Sequence, residues 1–448
     1  MAILIRNCSY VVRNPSQIER DCDILTECSR IQAIGNNLVV SPETEIIDGR
    51  GCAVLPGLIN AHTHLYQNLL KGISPGLTLV PWCNQVLFPS LSAMRTIMSR
   101  DGKRLSYLWT AIASIEMIRG GITCCVDMDN TSPEIMHAWT DVGFRGVLAY
   151  TLSNKWVPAE LRAGEDTMKL QLLDFIQKYH RPDGLTTVNV APSTLFLCTD
   201  DFLVWAGGQA QAYDLGMQIH IAETAEEVSD QVKATGRTPV EHLQHLGLLN
   251  SQLSAVHVVH INHHDVELLA SSGAQTVHCP KSNMKLADGI APTAWLRKAG
   301  ITVSLGTDGC ASNDLLDMWE EMRTGLLLAR VSENQPDGMT PQEAFGMATV
   351  AAARVARIDA GELQVGKLAD LAVVELKGVH LRPFHGDDLL NTLVFCGKAG
   401  DVRDTIIHGE VVMRDRQITR VDELALLEEA ESVEAGVYAL RNEQTSGR

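Results

Sequence analysis

Two histidines one residue apart, His62 and His64, end the apolar run Leu55-Pro56-Gly57-Leu58-Ile59-Asn60-Ala61. A run rich in branched residues reads as a buried strand. Side chains at i and i+2 of a strand share a side, so both imidazoles can reach one metal ion. Pro56 and Gly57 predict a bend beside the ligand-bearing end. Three more short apolar runs finish on groups of the same kind. Met217-Gln218-Ile219 leads to His220, with Glu223 three residues on; Ala255-Val256 leads to His257; Ile301-Thr302-Val303-Ser304-Leu305 leads to Asp308. Three neutral imidazole nitrogens and one carboxylate oxygen suit one divalent ion, zinc ahead of iron, with a position left for water. Glu223 and His257 are then available to move protons, with His260 the competitor for the histidine's role.

Elements that could hold these groups alternate along the middle of the chain. Residues 106–119 carry apolar side chains at helical spacing and stop at Gly120-Gly121, residues 226–235 follow the Glu223 strand, Thr238-Pro239-Val240-Glu241 opens another helix, and residues 315–330 follow the Asp308 strand. Strands alternating with helices, with functional groups at strand ends, match an α/β (β/α)8 barrel, whose active sites lie at that face. The ends differ: residues 2–5, 22–25, 31–34 and 45–48 read as short strands, as do residues 371–375 and 405–413. The expected organisation is a composite β-sandwich domain from residues 1–57 and 362–420, a hydrolase barrel over 58–361, and a C-terminal part, 421–448. In that last part residues 423–434 predict an acidic surface helix and residues 442–448 a disordered tail.

The order His-x-His, His with a following Glu, His, then Asp resembles the amidohydrolase superfamily, in its single-metal deaminase branch. Residues 56–64, 220–223, 277–283 with 286–292, 306–313 and 361–371 share the likeness, which covers nearly the whole chain. It implies that His62, His64, His220 and Asp308 bind the metal and that Glu223 and His257 handle protons, with Asp308 also taking a proton from the water. Two-metal members carry a modified lysine at the end of the fourth strand. The equivalent run here, Thr186-Thr187-Val188-Asn189-Val190-Ala191-Pro192, has none, so one metal is expected. Trp82, Gln67, His278, Ser312 and Asn313 are candidates for substrate contact, whereas Asp127 and Asp129 read as loop or supporting groups.

The expected reaction is hydrolytic release of ammonia from an aminated N-heterocycle of triazine, pyrimidine, purine or pterin type. Glu223 favours deamination without excluding dechlorination, since some chlorotriazine hydrolases of this family carry it. The patterns nearest by resemblance are methylthioadenosine/S-adenosylhomocysteine deaminases and s-triazine hydrolases. The nucleoside enzymes place a histidine after the proline where this chain has Ala191-Pro192-Ser193-Thr194, and they favour an arginine soon after a Gly-x-Arg element, where Gly143-Phe144-Arg145 here is followed by Gly146–Ala149 and Tyr150. Both departures point toward a smaller ring.

Length and composition bound the rest. The 448 residues, 45% hydrophobic, can bury a barrel of about 250 residues and a second module. A net charge of −17 argues against nucleic-acid or anionic-membrane partners. Eleven cysteines without a CxxC pair suit a reducing cytoplasm, and no stretch reads as a signal peptide or membrane span. The resemblance also implies a homo-oligomer.

Overall fold

The structure, a computed structural model, describes residues 2–73, 76–101, 104–384 and 388–446. The chain begins with five strands, β1 (Ala2–Asn14), β2 (Gln17–Glu27), β3 (Arg30–Gly35), β4 (Glu45–Asp48) and β5 (Cys52–Pro56). Nine more follow between helices: β6 (Leu58–His64), β7 (Ile122–Asp129), β8 (Arg145–Leu152), β9 (Thr186–Pro192), β10 (Met217–Ile221), β11 (Leu253–His257), β12 (Gln275–His278), β13 (Val303–Leu305) and β14 (Asp308–Gly309). Four close the chain: β15 (Leu371–Glu375), β16 (Val402–Ile407), β17 (Glu410–Arg414) and β18 (Gln417–Ile418).

The middle strands form one parallel sheet in the order β13-β12-β11-β10-β9-β8-β7-β6-β14. Since β13 and β14 are two pieces of one strand position broken at Gly306-Thr307, pairing of β14 with β6 closes the ring into an eight-position α/β barrel. Small and branched side chains such as Ala61, Val126, Ala149 and Ala191 fill the interior together with alanines of the helix Val350–Ala356. Ile59 donates its backbone N–H to Ala348 at 2.9 Å, which holds that helix to the N-terminal end of β6. The opposite, C-terminal end of the strands is left for side chains that do chemistry.

Strands from both chain ends meet in one mixed sheet, β18-β17-β16-β15-β5-β1-β2-β3, with β4 on β1. Both halves contribute to one core, from Ile3 and Ile24 on one side to Val373 and Ile406 on the other. Three sequence expectations change in detail. The apolar run from Leu55 to His64 is two strands rather than one, because Gly57 turns the chain out of the terminal sheet into the barrel, where a Cβ would stand 2.1 Å from Thr123 Oγ1. The bend therefore lies at the start of β6 and not beside the histidines. Residues 405–413 form a hairpin and not one strand: His408 and Gly409 both take positive φ, 56° and 74°, as a tight turn between antiparallel strands requires.

The third change is at the C-terminus, where a single helix, Glu423–Ser446, replaces the short helix and disordered tail; residues 447 and 448 lie outside the described residues. Ion pairs Arg104–Glu429 and Arg119–Glu423, and a hydrogen bond from Tyr438 Oη to Leu69 O at 2.6 Å, fasten this helix to the barrel's first loop and helix. No helix among the described residues is long and apolar enough to cross a membrane.

Candidate metal centre and active site

At the C-terminal ends of β6, β10 and β14 the side chains of His62, His64, His220 and Asp308 converge, and one ligand atom from each lies within 4.8 Å of the others. The Nε2 atoms of His62 and His64 are 3.1 and 3.3 Å from that of His220, and Asp308 Oδ1 is 3.3 Å from both His62 and His64. The remote nitrogen of each ring faces an acceptor. His62 Nδ1 donates to Gln218 Oε1 at 2.8 Å, His64 Nδ1 to Met128 O at 2.9 Å, and His220 Nδ1 to Ser193 O at 2.8 Å. Gln218 is itself oriented, because its amide donates to Ala61 O at 3.0 Å. Acceptors at all three Nδ1 atoms favour the proton there, which turns three Nε2 lone pairs and the Asp308 carboxylate toward one point, as a cation site requires. Ligands about 2.0–2.1 Å from a tetrahedral centre stand about 3.3 Å apart, which matches the spacing here.

Burial first, and then the neighbouring imidazoles, hold His220 far below the usual histidine range, as a neutral ligand requires. Asp308 balances burial against contacts with His62 and His64 and lies well below the usual carboxylate range. Its Oδ2 accepts from Ser282 and Ser312 at 2.6 and 2.9 Å, leaving Oδ1 for the ion.

The backbone at these strand ends is unusual. Ala222, His257, Val258 and Asp308 all have positive φ, from 44° to 73°. For non-glycine residues, and above all for the branched Val258, such φ values cost about 1–3 kcal/mol each and persist only where the surroundings impose them. Hydrogen bonds from Val258 N to Ile221 O, from His260 N to Ala222 O and from Thr63 Oγ1 to Asp308 O impose them here.

Glu223 and His257 lie beside the ligand set, His257 Nε2 at 3.6 Å from Glu223 Oε1. His257 Nδ1 donates to Asn283 Oδ1 at 2.8 Å, and burial lowers this imidazole to a pKa of about 4, so it is neutral with its Nε2 lone pair free. Glu223 is pushed well above the usual range by burial, then by Asp288, Asp308 and Glu227. The carboxyls of Glu223 and Asp288 are electrostatic neighbours, and Asp288 Oδ2 is buried with no hydrogen-bond partner. Burial and neighbouring carboxylates favour the protonated form of such a pair. Glu227 fixes the segment, accepting from the backbone N–H of Ala222 and Glu223 at 3.1 and 2.8 Å.

A cavity of about 770 Å³ opens over these groups and reaches His64, His220, Glu223, His257 and Asp308. Of the residues expected to touch substrate, Trp82, Gln67 and Ser312 line it, mostly among apolar side chains. His278 and Asn313 do not. His278 is buried at the end of β12, where its carbonyl accepts from Gly306 N, and Asn313 ties Thr307 O to Glu321 at 2.6 and 2.7 Å. His260 binds Asp288 O at 2.6 Å and is also outside the cavity lining, so His257 is the histidine at the site. Gln218 and Asp288 have no place in the sequence expectations, and Asp129, expected as a loop or supporting group, lines the cavity. Gln218 had a signal in its i−2 placement on the same strand face as His220, and Asp129 in its position at a strand end.

The model of the amidohydrolase family matches residues 53–412. The chain belongs to the amidohydrolase family. Over 428 residues this amidohydrolase is 35% identical to a 5-methylthioadenosine/S-adenosylhomocysteine deaminase of Carboxydothermus hydrogenoformans, covering 94% of this chain and 95% of the relative. Its structure is similar to that of a zinc-bound adenosine deaminase from Xanthomonas campestris, with a TM-score of 0.90, 28% identity and 98% of each chain covered. It is also similar to an atrazine chlorohydrolase from Arthrobacter aurescens complexed with zinc, with a TM-score of 0.89, 25% identity, and 96% of this chain and 100% of that one covered.

Proposed function

We propose that the chain is a zinc-dependent hydrolytic deaminase of an aminated N-heterocycle, with His62, His64, His220 and Asp308 as ligands. The observation that carries this reading is the buried Glu223 carboxyl, 3.6 Å from His257 Nε2 and held above the usual carboxylate range by burial, in the same cavity as four convergent ligand atoms. A three-nitrogen, one-oxygen tetrahedral set supports zinc over iron, and zinc is bound in two of the similar structures. When bound, the ion supplies Lewis acidity that makes water a nucleophile near neutral pH.

The residues do the remaining work. His257 Nε2 accepts a hydrogen bond from the attacking water and orients it. As the new C–O bond forms, Glu223 protonates the ring nitrogen next to the aminated carbon, and Asp308 takes a proton from the water. That proton passes to the amine, which leaves as NH3 when the C–N bond breaks, while the remaining hydroxyl proton returns to Glu223 as the carbonyl forms. Chloride would leave without such help, so an acid placed here fits an amine leaving group, and a positioned acid contributes typically about 10²–10⁴-fold. A nucleoside substrate is the second reading, favoured by the name of the 35%-identical relative and by a cavity larger than a free base fills.

Zinc-loaded protein is expected to release ammonia from one class among adenosine derivatives, guanine, cytosine, aminopterins and aminotriazines. Glu223→Gln should lower that rate at least about 100-fold with zinc content unchanged. Chloride release from a chlorotriazine, with no ammonia from any amine, would overturn the deaminase reading.

A further inference from the structure

Asp129 ends β7 and is 2% exposed. Its Oδ1 accepts from the backbone N–H groups of Asn130 and Thr131 at 2.6 and 2.7 Å, while its Oδ2 is buried with no hydrogen-bond partner. A carboxylate oxygen left this way is costly unless a ligand supplies the donor. The residue lines the cavity shared with Glu223 and Asp308. Three more cavity-lining residues carry buried polar atoms without partners: Gln67, with Oε1 as an acceptor; Trp82, with Nε1 as a donor; and Thr151, whose hydroxyl stands on the neighbouring β8. All four unpaired atoms belong to residues that line this one cavity.

From these unpaired atoms we infer that Asp129 is a specificity residue, accepting a hydrogen bond from an N–H or O–H of the substrate other than its leaving amine. Thr151 and Trp82 offer further unpaired polar atoms in the same lining. The donor is a second amino group or a lactam N–H on the ring, or else a sugar hydroxyl. Depth favours the ring: the residue before Asp129, Met128, accepts from His64 at 2.9 Å, so Asp129 stands at the level of the ligand set. The substrate class is then a diaminated or amino-oxo heterocycle. This inference rests on the deaminase reading of the same site.

Asp129→Asn is the sharp variant. The two backbone N–H groups keep an oxygen at the Oδ1 position, so the amide NH2 takes the place of Oδ2 and meets the substrate's donor with a donor. Two substrate pairs read the effect on zinc-loaded enzyme: 2,6-diaminopurine against adenine, and 5′-deoxyadenosine against 2′,5′-dideoxyadenosine. In the wild type, kcat/KM should favour the donor-bearing member of one pair by at least about tenfold. Discrimination in the first pair identifies a ring donor and in the second a sugar hydroxyl. In Asp129→Asn the ratio should collapse toward one, mainly through KM, with zinc content and Tm unchanged. A wild type indifferent to both pairs, a variant with the wild-type ratio, or equal losses on all four compounds would overturn the inference. Should the variant not fold, the wild-type ratios decide. Binding of 2-aminopurine against purine, by calorimetry on zinc-loaded protein, separates this inference from the deaminase reading. A preference of about tenfold that Asp129→Asn removes, with no ammonia from any amine, would sink the reading and keep the subsite.

Discussion

At the scale of single residues, the chemistry depends on which nitrogen of each ring carries hydrogen. Gln218, Met128 O and Ser193 O decide that by accepting at Nδ1. Supporting hydrogen bonds of this kind are typically worth about 10–100-fold in metal affinity. Gln218→Ala is therefore expected to weaken zinc binding by about that factor in a chelator competition; an unchanged affinity would show that His62 orients itself. The pair formed by Glu223 and Asp288 makes a pH prediction. Burial, and then Asp308, push the Asp288 pKa up to about 7, against about 3.9 for an unfolded chain. A carboxyl with a raised folded pKa keeps a proton that the unfolded chain sheds. Its stabilising contribution is whole below about pH 4 and is lost as pH rises toward about 7. Urea unfolding of Asp288→Asn should then lose less stability than wild type between pH 4 and 7, at equal zinc loading. Parallel curves would mean that Asp288 is not protonated there.

Among the elements, the eighth strand position is the most constrained. Gly306 separates β13 from β14, and a Cβ there would lie 2.8 Å from His62 O and 2.9 Å from His62 N, both backbone atoms that cannot move aside. Glycine is thus the residue that lets the Asp308 strand close onto β6. Gly306→Ala is expected to cost about 2 kcal/mol of stability and to weaken zinc binding as well, because the displaced atoms belong to a ligand. Loss of stability with full zinc affinity would place the strain elsewhere. The run to Asp308 was legible as a strand from its branched residues. Its break and the positive φ of Asp308 were not, because both arise from closure of the ring.

For the whole molecule, the terminal sheet and the barrel are joined by a buried ion pair. Arg145, at the start of β8, contacts Asp370 just before β15 at 2.6 and 3.1 Å, and both are almost wholly buried. Asp370 also accepts from His408 N at 2.7 Å and gives its carbonyl to Gly57 N at 2.9 Å, so it ties the bend before β6 to the hairpin after β16. Removing one member strands a charge in the interior, which typically costs about 3–5 kcal/mol. Asp370→Ala should accordingly lose most of its stability in urea while keeping ammonia release per folded molecule at low temperature; a small loss would show that water or another group solvates Arg145.

What the amino-acid order determined by itself is the set of groups and the elements that carry them. The alternation of strand and helix, the i, i+2 histidines, and the placement of His220, His257 and Asp308 at the ends of apolar runs follow from local periodicity, and local periodicity survives in a one-dimensional string. The tertiary structure decided which of the nearby polar residues face the cavity. His278 and Asp129 both end strands, yet His278 is buried outside the lining and Asp129 looks in, a difference set by strand tilt and ring closure. The same holds for the partners of each imidazole and for the meeting of Glu223 with Asp288, 65 positions apart in the chain. Those contacts form between segments whose separation in sequence carries no trace of their distance in space.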